Sequence, residues 1–116
     1  MRDNPEKTEI VQGTLDMLIL KTLAAGPMHG YAIARRIQQA SADFFQVEEG
    51  SLYPALHRME RRGWINARWG LSETKRKAKY YRLAEAGRAQ LEKEINSWNR
   101  FTQAIAEVLG MQPEEA

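Results

Sequence analysis

The side chains able to do chemistry in this 116-residue chain are mostly cations, and they are crowded into one stretch. Residues 58–82 carry nine basic groups (Arg58, Arg61, Arg62, Arg68, Lys75, Arg76, Lys77, Lys79 and Arg82) against two acidic ones, a net +7. Residues 1–57 carry −2 and residues 83–116 carry −3. A basic block between acidic flanks suggests a localised surface for a polyanion. Lys75, Arg76, Lys77 and Lys79 form its tightest run, slightly weakened by Glu73. Each phosphate that such a run neutralises releases counterions, so binding would be steeply salt-dependent. A solubilising loop is the plainer reading of the same run.

Other chemistries find little support. The chain has no cysteine, which excludes disulfides and thiolate metal sites. His29 and His57 are far apart and lack the companions of a zinc site. No paired carboxylates, nucleophile with base, or phosphate-cradling loop stands at a recognisable spacing. His57 and Glu60 lie one helical turn apart, which is weak support for catalysis. We therefore expect no enzyme, no cofactor and no metal. The N-terminus is polar, unlike a signal peptide. The most apolar stretch, Leu15 to Ala25, is broken by Asp16 and Lys21 and is too short to span a bilayer. A cytoplasmic protein is expected.

The elements that must position these cations follow from periodicity. Val11, Leu15, Ile19 and Leu23, widened by Leu18, predict a helix from about Glu9 to Ala25, ended by Gly26-Pro27. A second helix is expected from about Gly30 to Ala40, with Tyr31, Ile33, Ala34 and Ile37 inward and Arg35, Arg36, Gln38 and Gln39 solvated. Residues 41–47 read as a connector pinned by Phe44, Phe45 and Val47. Leu52, Leu56 and Met59 predict a third helix from about Glu48 to Arg62, stopped by Gly63. Glu48 and Glu49 suit the positive end of its dipole, and Pro54 lies near its start. Two strands follow. Trp64 to Trp69 puts Ile65, Ala67 and Trp69 on one face, and Lys79 to Leu83 does the same for Tyr81 and Leu83. Gly70 to Ala78 is the basic loop between them.

Three helices and a hairpin with a basic tip make a winged helix-turn-helix layout, mainly α with a small β-hairpin. A last helix, from about Glu85 to Leu109 and ~37 Å long, carries a heptad seam of Leu91, Ile95, Trp98, Thr102, Ile105 and Leu109. Phe101 and Val108 widen it. About three heptads are marginal for an isolated coiled coil, so this helix should also pack on the first. The expected organisation is a flexible arm (1–8), the winged domain (9–83), a dimerisation helix (84–110) and a flexible tail (111–116).

Three stretches carry a family likeness: Gly26-Pro-Met-His-Gly-Tyr-Ala-Ile33, Gly50-Ser-Leu-Tyr-Pro-Ala-Leu-His-Arg-Met-Glu-Arg-Arg-Gly63, and Lys79-Tyr-Tyr-Arg-Leu83 with Gly87. Through them the chain resembles the PadR-like transcriptional regulators, specifically short members with a single C-terminal helix. The tyrosine-proline pair early in the third helix is the most specific mark. Two positions depart from the pattern. Met59 stands where leucine is usual, a volume-conserving change. Ala84 stands where a capping threonine is usual, a loss of about 1 kcal/mol. The resemblance implies a homodimer that binds a near-palindromic operator in double-stranded DNA and usually represses. It also implies, for some short members, a flat aromatic effector at the dimer interface that releases them from DNA.

Ser51, Tyr53, Pro54, His57, Arg58 and Arg61 lie off the apolar stripe of the third helix, where hydroxyl, imidazole and guanidinium groups reach base edges or phosphates. Tyr53 and Arg58 are the foremost candidates, whereas Glu60 and Arg62 read as structural. Lys75, Arg76, Lys77 and Lys79 are expected on phosphates, with Arg35 and Arg36 weaker candidates. Trp64, Trp69, Tyr80 and Tyr81 suggest base stacking but are more simply the core of the small sheet. Trp98 reads first as dimer core. Its sharper role is one wall of a ligand slot shared with its copy in the partner, with Phe101, Met17 and Leu18 adding walls. The rival reading of the whole chain is a winged-helix protein-interaction module.

Overall fold

The computed structural model describes residues 8–9 and 12–112. Val11, most of the expected N-terminal arm and the end of the expected tail lie outside the described residues. Strand β1 (Thr8–Glu9) precedes helix α1 (Gln12–Leu23), so the helix begins later than periodicity predicts. Leu15, Ile19, Leu20 and Leu23 bury its inner face completely. At Gly26 the backbone turns through a φ of +149°, where an L side chain is strained. The chain then extends into β2 (Met28–His29).

His29 starts the next helix, α2 (Gly30–Ala40): its Nδ1 accepts the Ala32 N–H at 3.2 Å, capping the first turn. Gly30, Ile33 and Ile37 form the buried stripe. Tyr31, expected inward, is 63 % exposed. It stands about 100° around the helix from Gly30, and its hydroxyl instead accepts a hydrogen bond from Arg35 Nη1 at 3.3 Å. After α2 two successive non-glycine residues, Ala42 and Asp43, are left-handed. Asp43 accepts from Gln38 Nε2 at 3.2 Å, and the Ser41 hydroxyl accepts the Phe45 N–H at 3.1 Å. Strand β3 (Phe45–Gln46) pairs in parallel with β1, through residues expected in the arm (Thr8), the start of the first helix (Glu9) and a connector (Phe45 and Gln46). Phe45 and Val47 pack on the core as expected, but Phe44 is exposed.

Helix α3 (Glu49–Arg61) contributes Leu52, Ala55, Leu56 and Met59 to the core and carries Pro54 on its exposed side without breaking. The wing is strands β4 (Ile65–Leu71) and β5 (Lys77–Leu83), antiparallel, with Ile65 opposite Leu83 and Leu71 opposite Lys77. It extends further than expected, so the loop shrinks to residues 72–76, closed by Ser72 N–H on the Arg76 carbonyl at 2.8 Å. The Tyr80 hydroxyl donates to the Leu71 carbonyl at 3.1 Å, which holds the added pairs together. Strand β2 completes a three-stranded sheet in the order β2-β5-β4. Ile65, Tyr81 and Leu83 are buried beneath it.

Helix α4 (Glu85–Leu109) starts at Ala84, which makes no side-chain cap bond, and ends at Gly110 with φ +74°. Its first turn is pinned on the sheet instead. Ala84 N–H donates to the Trp64 carbonyl at 2.9 Å. Gly87 passes so close that an added Cβ would collide with that same oxygen. Leu91 and Ile95 then join the core, and α4 packs on α1 as expected. Further along, Trp98, Phe101, Ile105, Val108 and Leu109 are exposed. Among the described residues no helix is long and apolar enough to cross a membrane.

Candidate nucleic-acid interface

α2, α3 and the wing enclose an open groove of about 1300 Å³. Of the residues singled out from sequence, Tyr53 and His57 on α3 and Arg76, Lys77 and Lys79 on the wing line it together. Arg35 and Arg36 face it from α2. Ser51, Pro54 and Arg61 are exposed on α3 outside this lining. Lys75 is exposed in the wing turn, held left-handed at φ +64°.

Tyr53 is positioned by what is missing beneath it. A Cβ on Gly30 would meet its Oη at 2.6 Å, so the phenol lies across the first residue of α2 while 36 % of the residue stays exposed. The Lys79 ammonium is 3.5 Å from Glu60 and 5.7 Å from the centre of the Tyr81 ring, which ties β5 to α3. Burial, followed by the neighbouring Glu60 and Tyr53, holds the Tyr81 hydroxyl above its ordinary value of 10.0, so it stays neutral.

Arg58 lies apart from these residues. Its Nη2 donates to Asp16 Oδ1 of α1 at 2.8 Å, across the core side of α3 and away from the groove. Asp16 is only 7 % exposed. A buried carboxylate needs a charged hydrogen-bond partner, and that need draws Arg58 inward. The signal was present in the sequence: an aspartate within the apolar stretch of α1 calls for a cation. Trp69 departs from the sheet core expected of it. It lies on the same face of β4 as Ile65 and Ala67, but the strand has by then left the core, and Trp69 is 60 % exposed at the groove. Tyr31 and Tyr80 also line the groove and were missed as site residues. Arg62 lies over the Trp64 ring at 5.1 Å, a structural place as expected.

A second groove, about 630 Å³, runs between α1 and α4. Met17, Trp98 and Phe101 line it, the two rings 5.7 Å apart. Leu18 does not: one residue along the helix it points elsewhere and packs against the core. Of the heptad residues, Leu91 is already covered by its own chain and Ile95 is half-buried. Thr102 is half-buried and its hydroxyl bonds the Asn99 carbonyl at 3.1 Å. Trp98, Ile105 and Leu109 remain open.

A helical core with a sheet-borne wing beside its third helix is the winged helix-turn-helix, a class of DNA-binding fold. The chain belongs to the PadR-like family of transcriptional regulators, whose sequence model matches residues 19–93. Members of this family are non-enzymatic, DNA-binding regulators of transcription. A protein of Lysinibacillus sphaericus is 30 % identical over 99 residues, 85 % of this chain and 91 % of its own length. The negative transcriptional regulator PadR of Bacillus subtilis is 27 % identical over 95 residues, 82 % of this chain, which spans half of that longer protein. A transcriptional regulator from Clostridium thermocellum superposes with a TM-score of 0.75 at 29 % identity, covering 82 % of this chain and 92 % of the other. A PadR-like transcriptional regulator from Bacillus cereus does so with 0.72 at 30 % identity, covering 84 % and 92 %.

Proposed function

We propose that the chain is a cytoplasmic homodimeric repressor that reads a near-palindromic operator in double-stranded DNA. The observation that carries this reading is the groove, where Tyr53 and His57 of α3 share one concave face with Arg35, Arg36, Arg76 and Lys77. In the complex α3 enters the major groove, and Tyr53, His57 and the neighbouring Ser51, Pro54 and Arg61 meet bases and phosphates. The wing cations Lys75, Arg76, Lys77 and Lys79 lie on the flanking backbone. The open side of α4 meets a second copy about a two-fold axis, which sets the distance between half-sites. A flat aromatic effector occupies the slot at Trp98, Phe101 and Met17, and releases DNA by binding the other dimer geometry more tightly.

The test is selection of bound fragments from the source genome at physiological salt, with the wild type and the Tyr53→Ala/His57→Ala double variant. The expected result is a two-fold-symmetric motif that the variant loses. Equal recovery of all fragments by both proteins would move the protein-interaction reading to the front. For the effector, Trp fluorescence is titrated with a library of planar aromatics, using Trp98→Phe as control. If no compound quenches the wild type selectively, that part of the proposal fails.

A further inference from the structure

We propose that Trp69 is a DNA-contacting residue of the wing, packing its indole on the sugar face of the backbone and presenting Lys77 to the adjacent phosphate. This inference rests on the DNA-binding reading above. Trp69 stands in the outer part of a face, with Leu71 and Lys77 beyond it, whose inner members, Ile65, Tyr81 and Leu83, are buried. The same face carries an ordered pair of cation–ring contacts. Lys79 lies over Tyr81 near the core, and Lys77 lies over Trp69 further out, each at 5.7 Å.

The two cations differ in one respect. Lys79 is matched by Glu60, whereas Lys77 forms no ion pair among the described residues. A long, flexible ammonium side chain is thus held over a ring, which lowers the entropy lost when it meets a phosphate. The ring itself is a large apolar surface, 60 % exposed, in a groove that also carries Arg35, Arg36, Arg76 and Lys77. No neighbour in the chain covers it fully, although the strand could have carried a small polar residue there at no cost to the core. Deoxyribose offers the complementary surface: apolar carbons immediately beside a charged phosphate. Contact with sugar and phosphate is independent of sequence, so the contribution should appear on any duplex.

The experiment measures anisotropy of a fluorescein-labelled mixed-sequence duplex of about three helical turns, titrated with wild type, Trp69→Ala, Trp69→Phe, Lys77→Gln and Arg76→Gln over a salt series. Trp69→Ala is expected to raise Kd at least about fivefold at every salt concentration, since it removes an apolar contact. Its melting temperature should stay within about 2 °C of wild type, because the residue is at the surface. Trp69→Phe should retain most of the binding. Lys77→Gln should flatten the slope of log K against log salt by about 0.9, and by less in the Trp69→Ala background. Wild-type binding by Trp69→Ala alongside weakened binding by Arg76→Gln would overturn the proposal and leave the DNA reading intact. Wild-type binding by all variants would overturn both. A loss of affinity that tracks a fall in melting temperature would make Trp69 structural and also overturn it.

Discussion

Arg58 and Asp16 show how one residue's chemistry is decided by another far away in the chain. Arg58 opens the most basic stretch of the chain, yet its guanidinium serves a carboxylate 42 residues earlier. Breaking such a pair from one side leaves an uncompensated charge, which costs several kcal/mol in a fully buried site and less where, as here, both partners keep some exposure. Arg58→Ala should therefore lower the unfolding free energy by about 2 kcal/mol, read from urea denaturation at fixed protein concentration. Arg58→Lys should recover only part of it, because a lysine cannot reproduce the guanidinium geometry. If Arg58→Ala melts like the wild type but loses DNA affinity, the residue belongs to the interface after all. The acid inside the apolar stretch was visible in the sequence. Which of nine neighbouring cations would answer it was not, because that depends on how α1 crosses α3.

At the scale of elements, the start of α4 joins two features of opposite sign. Ala84 offers no cap, and Gly87 compensates by letting the first turn sit directly on the Trp64 carbonyl. Ala84→Ser should add about 1 kcal/mol by supplying an oxygen to the open N–H groups, seen as a melting temperature raised by about 4 °C. Gly87→Ala should do the reverse, costing about 3 kcal/mol, since the clash is with backbone that a side-chain rotation cannot relieve. Unchanged unfolding in Gly87→Ala would mean that α4 is free to lift off the sheet. Periodicity located α2 and α4 to the residue, because their stripes are long; α4 also has a glycine stop in Gly110, whereas α2 ends at Ser41. It shortened the wing, because Gly70 and Ala78 look like loop residues in isolation. They are held in the ladder by the Tyr80 hydroxyl and by the strand opposite. The short β2 and β1–β3 pairings carry no periodic signal at all and exist only through their partners.

At the scale of the molecule, the chain is elongated, 52 × 36 × 20 Å, and in the outer half of α4 Ala106 is buried while its neighbours open outward. Trp98, Phe101, Ile105, Val108 and Leu109 lie exposed along that half. Exposed apolar side chains repeated along one helix suit the dimer surface proposed above. Ile105→Asp should convert a dimer into a monomer in sedimentation velocity at micromolar concentration and weaken operator binding together with it. A wild type that sediments as a monomer would remove α4 from the dimerisation role. The apparent stability of the wild type should also rise with protein concentration, as association demands.

The sequence by itself determined the order of helices and wing, the heptad seam and the location of the cationic block, since each depends on spacing along the chain. It also carried the motifs through which the PadR-like family was legible. Tertiary structure decided which of those cations face the groove, that Trp69 and Tyr31 are exposed and Leu18 is not, and that Leu91 is covered by its own chain. The physical reason is the same in each case. Periodicity states which residues share a face, but burial depends on where the neighbouring element ends.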